Sequence, residues 1–148
     1  MSNQSTWDQR FLQMAALVAT FSKDPSTKVG CVIANDKNQI LSLGFNGFPR
    51  GAEDDHRLHD RPTKYKMVIH AEENAVLNST GCLEGSTAYL THPPCLHCSG
   101  VLRQVGINRV VFVEPTGAFK ERWNLEETVA YLKELNILVS GYRGVSQI

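Results

Sequence analysis

Two short stretches carry side chains able to do chemistry. In the first, Val68-Ile69-His70-Ala71-Glu72-Glu73-Asn74-Ala75-Val76, a histidine, two carboxylates and an amide interrupt an apolar run. The second is Pro94-Cys95-Leu96-His97-Cys98, a C-x-x-C. A C-x-x-C at a helix start either binds a metal or exchanges disulfides, and the helix N-terminus favours thiolate in both cases. A structural zinc takes four protein ligands, usually from a second such pair. The other two cysteines, Cys31 and Cys82, lie far apart and make no pair. Three protein ligands with one open position is the catalytic arrangement. His70 is the natural third ligand, because it opens a helix that follows a loop. Glu72 is two residues on and shares no face with His70 in mid-helix. At a helix N-terminus, however, both can point beyond the helix end. Glu72 then approaches the site without ligating the metal, as a proton carrier.

Each piece alone has an ordinary explanation. A histidine beside apolar residues is commonly a hydrogen-bonded core residue. A C-x-x-C in a cytosolic α/β protein also fits a redox pair. Their order, and the proline before the first cysteine, favour the metal site. Cys31 reads as a buried strand residue, Cys82 as a loop thiol and His97 as a helix-surface residue.

Composition bounds the rest. A chain of 148 residues fits one domain, 1–148, with enough core to fold alone. Hydrophobic content is 42% and charged content 20%, ordinary for a globular domain. Formal net charge is zero, unlike a module that tracks nucleic-acid phosphates. No apolar run approaches the ~20 residues that span a membrane. The start, MSNQSTWDQR, lacks the pattern of a signal peptide, so a cytoplasmic address is expected. There a disulfide is disfavoured, and the four cysteines read as thiols or metal ligands.

Hydrophobic spacing supplies the elements. Trp7, Phe11, Met14, Ala15, Val18 and Phe21 predict a helix, capped by Ser5 or Thr6, with Asp8 in its first turn and Asp24-Pro25 after it. Val29 to Ala34 and Ile40 to Gly44 predict a β-hairpin around Asn35-Asp36-Lys37-Asn38. Phe45 to Lys66 reads as a long polar loop, and loops of that length are usually functional. Helices follow at His70 to Asn78, Cys95 to Gln104 and Leu125 to Leu135. Strands follow at Thr87 to Thr91, Arg109 to Val113 and Ile137 to Ser140. This alternation predicts an α/β fold: a three-layer α/β/α sandwich around one mixed sheet of about five strands.

H-x-E followed by P-C-x-x-C matches the signature of zinc nucleobase deaminases. The blocks SKDPSTKVGCVI, GFNGFPRG, HDRPTKYKMVIHAEENAV and THPPCLHC together resemble the deoxycytidylate deaminase family, from Ser22 to about Val113. The resemblance implies a cytidine deaminase-like fold. It also implies hydrolysis of dCMP to dUMP and ammonia, supplying dUMP for thymidylate synthesis. One catalytic Zn²⁺ per chain is implied on His70, Cys95 and Cys98, with Glu72 shuttling protons. Asn46 would bind the sugar, Phe48 would border the nucleotide, and Ala71 would contact substrate. Ser26, Thr27 and Lys28 are candidates for the phosphate. Family members are commonly hexamers, activated by dCTP and inhibited by dTTP with Mg²⁺. A triphosphate could meet Asn46, Gly47, Arg50, Arg57, Lys64 and Lys66, with Asp54 or Asp55 holding the Mg²⁺. The loop holds His56 and His59 but no cysteine, so no second zinc is expected. The sequence departs from the family after the fourth strand. Pro115 to Lys120 lacks the Tyr-Arg pair many members carry, and Lys120 or Arg122 are the substitutes at hand.

Two other functions share the motif. A nucleic-acid base deaminase, such as a tRNA adenosine deaminase, would need a surface for backbone phosphates. Balanced charge and the NGFPRG block argue against it. A catalytically silent zinc-binding module would have no use for Glu72.

Overall fold

The computed structural model describes residues 3–117 and 124–145. The elements run α1 (Asn3–Ala19), β1 (Gly30–Ala34), β2 (Ile40–Phe45), a 3₁₀ turn (His56–His59), α2 (Arg61–Met67), α3 (Ala71–Asn78), β3 (Thr87–Leu90), α4 (Leu96–Gln104), β4 (Arg109–Val113), α5 (Leu125–Glu134) and β5 (Leu138–Tyr142). The five strands form one sheet in the order β2-β1-β3-β4-β5. β1 pairs antiparallel with β2 and with β3, whereas β3-β4 and β4-β5 are parallel. The parallel pairs follow from helical crossovers, and the antiparallel β1-β2 pair from a short turn. Asn38 supplies that turn's left-handed residue, at φ 60°.

Alternation along the strands separates two cores. Cys31, Ile33, Ala88, Leu90, Val110 and Phe112 face α3, α4 and α5. Val32, Ala34, Tyr89 and Val111 face α1 through Phe11, Leu12, Ala15 and Val18. The expected three-layer sandwich with a mixed sheet is the observed one.

Three parts differ from the sequence expectation. The segment after β2 is not an open loop, because it contains the 3₁₀ turn and α2. The missed signal was Asp60 followed by Pro62, a helix start. Phe21 is not core: it lies beyond α1, is 53% exposed, and meets Phe45 edge-on at 6.0 Å. Asp8 lies in the second turn rather than the first, because α1 begins at Asn3. It sits on the buried stripe of α1, 1% exposed. Arg109 donates to both its oxygens at 2.8 and 2.6 Å, and the Tyr89 and Tyr142 hydroxyls donate at 3.1 and 2.7 Å. Lys120 and Arg122 lie outside the described residues.

Two glycines let helices approach the sheet. A Cβ on Gly30 would strike the backbone of Ala15, and one on Gly44 the backbone of Ala71 and Ala75. α3 is then tied to β2 by side chains. Ser42 Oγ donates to Ala75 O at 2.5 Å, Asn74 Nδ2 to Phe45 O at 2.7 Å and Asn78 Nδ2 to Leu43 O at 3.2 Å.

Burial alone would raise the Asp8 pKa. The bonds from Arg109, Tyr142 and Gln4 outweigh burial and hold the carboxyl below its usual value. A group depressed in the folded state contributes stability above its unfolded pKa of ~3.9, and loses it as pH falls through the lower folded value. Asp8→Asn strands Arg109, whose side chain is 18% exposed. The expected loss at pH 7 is about 3 kcal/mol in urea unfolding, the low end for a broken buried pair. The gap to wild type should narrow below about pH 4. A constant gap from pH 7 to 3 would contradict this account.

Candidate metal centre and substrate cavity

His70 and Cys95 occupy equivalent places at two helix starts. Each is an N-cap with extended backbone, at φ −71°, ψ 157° and φ −72°, ψ 170°. Pro93 and Pro94 hold the approach to Cys95 extended, since proline disfavours helix in the residue before it and lacks an N–H. The approach to His70 is held by Gly47 and Ile69. Gly47 N donates to Ile69 O at 3.1 Å, and Ile69 N donates back at 2.8 Å. The two helix starts therefore converge.

His70 Nδ1 lies 3.7 Å from Cys95 Sγ and 3.3 Å from Cys98 Sγ. Tetrahedral zinc with Zn–S near 2.3 Å and Zn–N near 2.0–2.1 Å spaces such atoms about 3.6 Å apart. All three ligand atoms lie within 4.8 Å of one another. Among the described residues this is the group of His, Cys, Asp and Glu side chains that could hold a metal. The donor set and its spacing fit zinc with three protein ligands.

Proton affinities within the cluster are strongly displaced. A hydrogen bond from Cys98 first, then those from His70 and the Cys98 backbone, pull the Cys95 thiol down to about 4 against the cost of burial. Cys98 is driven far up, by its bond to Cys95 and then by burial. His70 rises to about 9, chiefly through its bond with Cys95. Glu72 is 5% exposed, and burial raises it to about 7. A carboxyl so poised can take up and release a proton near neutrality.

These groups open on a cavity of about 180 Å³, lined by His70, Glu72 and Cys95. Ser26, Thr27, Asn46 and Ala71, the candidate substrate contacts, line it too. Lys28 and Phe48 do not. Lys28 is exposed, and Phe48 lies under the Arg57 guanidinium at 6.0 Å. Asn46 is already bonded: its Oδ1 accepts from Val29 N at 2.8 Å and its Nδ2 donates to Thr27 O at 2.9 Å. It shapes the cavity wall through residues 27–29.

The unexpected member is Lys64. The sequence reading placed it with a regulatory triphosphate, but α2 turns it into this cavity, with its side chain 5% exposed. Its Nζ sits 3.3 Å from Asp24 Oδ1 and 3.4 Å from Ser26 Oγ. Reading residues 45–66 as open loop hid this, because a helix is what aims the side chain inward. Of the other proposed regulatory residues, Asn46 shares this cavity and the rest do not. Arg50 lines a separate cavity of about 340 Å³ beside α3. Asp54 pairs with Lys23 at 3.0 Å and shares a third cavity with Gly47 and Asn46. Asp55 pairs with Arg57 at 2.8 Å, and Lys66 is exposed.

Residues 5–114 match the cytidine and deoxycytidylate deaminase zinc-binding region. The chain belongs to this deaminase family. A deaminase of the luxG 3′ region of Aliivibrio fischeri, itself uncharacterised, is 47% identical over 119 residues, 80% of each chain. A "probable deoxycytidylate deaminase" of Caenorhabditis elegans is 42% identical over 111 residues, 72% of this chain and 56% of that one. Among solved structures, the dCMP deaminase of cyanophage S-TIM5 in complex with dCMP and dUMP superimposes with a TM-score of 0.79. It is 26% identical, over 96% of this chain and 99% of that one. The matched region contains His70, Cys95 and Cys98.

Cobalt titration checks the centre. Wild type should develop intense thiolate-to-cobalt absorption, and His70→Ala, Cys95→Ser and Cys98→Ser should each weaken cobalt and zinc binding at least tenfold. Unchanged zinc affinity in Cys98→Ser would remove it from the ligand set.

Proposed function

We propose that this chain is a zinc-dependent deaminase that hydrolyses dCMP to dUMP and ammonia. The observation that carries the reading is the buried Lys64 in the same cavity as the metal ligands and Glu72. A cation there, beside the Ser26 hydroxyl and the Thr27 side chain, suits a monophosphate at one end of a cytosine nucleotide. Thr27 Oγ1 is buried without a hydrogen-bond partner, leaving a donor free for an entering ligand. The relatives named as deoxycytidylate deaminases, and the cyanophage enzyme bound to dCMP and dUMP, support the same substrate.

When bound, one zinc per chain would be held by His70, Cys95 and Cys98 and would supply the Lewis acid that lowers the pKa of water toward ~7. Glu72 takes a proton from the attacking water and passes it to N3 of the cytosine ring. The water oxygen adds at C4. Glu72 then takes the remaining proton from the C4 hydroxyl to the 4-amino group, the C4–N bond breaks, C4=O forms and ammonia leaves. One buried carboxyl, shifted to about 7, serves as base and then acid.

The proposal extends to regulation by dCTP and dTTP with Mg²⁺, a homohexamer, and a cytoplasmic setting. Regulation and assembly rest on the family resemblance. Among the described residues no helix is long and apolar enough to cross a membrane.

Glu72→Gln should retain zinc and lose at least a thousandfold in kcat, because an amide carries no proton; ammonia release and metal analysis read the two properties. Near wild-type turnover would sink the mechanism. Lys64→Gln should raise KM for dCMP roughly thirtyfold, for about 2 kcal/mol of charge-assisted bonding, and leave deoxycytidine turnover unchanged. Equal losses on both substrates would take the phosphate away from Lys64.

A further inference from the structure

His97 lies between the two cysteine ligands, and the mechanism leaves it unused. Glu73, beside the proton carrier, is likewise unassigned. The structure brings them together. Glu73 Oε1 accepts from His70 N at 3.3 Å, closing the first turn of α3. Its other oxygen, Oε2, faces His97 Nε2 at 3.5 Å, on the first turn of α4. One carboxylate thus touches both segments that carry metal ligands.

We infer that Glu73 is a positioning residue, a clasp that joins the start of α3, bearing His70, to the start of α4, bearing Cys95 and Cys98. The inference rests on the zinc reading of the site. The Glu72 side chain also reaches across, with a hydrogen bond to Cys98, but it does so from within the cavity. Glu72 points into the cavity and is committed to protons. Ser99 Oγ turns back to Cys95 O within its own helix. The Glu73 carboxylate stands at ion-pair distance from the His97 ring, and that contact completes the clasp. It reaches the metal through geometry: the His70 backbone sets the direction of Nδ1, and the first turn of α4 sets both sulfurs. Outer partners of this kind commonly change metal affinity by 10- to 100-fold. The Glu73 side chain is 29% exposed and that of His97 72%, which places this clasp at the weak end.

The test follows zinc leaving the loaded protein into a chromophoric chelator, beside the visible spectrum of the cobalt-loaded protein. Glu73→Ala should lose zinc about tenfold faster and shift the cobalt d–d bands, and His97→Ala should lose it about threefold faster. Glu73→Gln keeps an acceptor oxygen for the backbone and should restore most of the retention and the native spectrum. The double variant Glu73→Ala/His97→Ala should be no faster than Glu73→Ala alone, because the two act through one contact. Urea unfolding of each variant separates ligand geometry from a general loss of stability. Wild-type zinc loss and an unshifted spectrum in Glu73→Ala would overturn the clasp while leaving the metal centre intact, as would additive effects in the double variant. A wild-type protein that takes up neither zinc nor cobalt would overturn both readings.

Discussion

The N-termini of α3 and α4 aim at the same point, each carrying roughly half a positive charge. Bringing two such ends together is unfavourable unless negative charge lies between them. The chain supplies it with the Cys95 thiol, pulled down to about 4, and with the Glu72 carboxyl, which titrates at about 7. The same field that makes the convergence costly makes the sulfurs good ligands for a divalent cation. Much of the surrounding architecture holds these two ends in place. Gly44 lets α3 seat against β2, Gly47 and Ile69 fix the entry to His70, and the proline pair fixes the entry to Cys95.

The parts legible in the sequence were those with a short-range signal. Helices and strands after residue 70 show clear periodicity, and H-x-E with P-C-x-x-C fixes ligand types at fixed offsets. The sandwich followed from their alternation. Lys64 was not legible in the same way. A lysine in a polar stretch reads as solvated, and only α2 and the distant partner Asp24, forty residues earlier, make it buried. Asp8 and Arg109 are 101 residues apart, and nothing local announces their bond. Phe48 was assigned by resemblance and Lys28 by its charge, and neither is among the residues that line the cavity. In each case the deciding contact is long-range, where spacing in sequence carries no information.

Asp8 shows how the far side of the sheet is organised. One carboxylate on α1 gathers Arg109 from β4, Tyr89 from β3 and Tyr142 from β5. A buried charge is costly unless its partners are complete, and these are. The register of α1 against three strands is therefore set by directional bonds as well as by the apolar stripe. Tyr89 and Arg109 belong to strands whose other residues pack under α3, α4 and α5, so the polar hub and the metal face share one rigid sheet.

β2 is an outer strand, and such strands invite pairing with other chains. Here the Leu43 and Phe45 carbonyls already accept from the amides of Asn78 and Asn74. A foreign strand seeking those carbonyls would compete with bonds from the helix that bears Glu72. Templated cross-β growth along this margin is therefore opposed by the residues that seat Glu72, and a variant loosening α3 would lose turnover and resistance to fibril formation together.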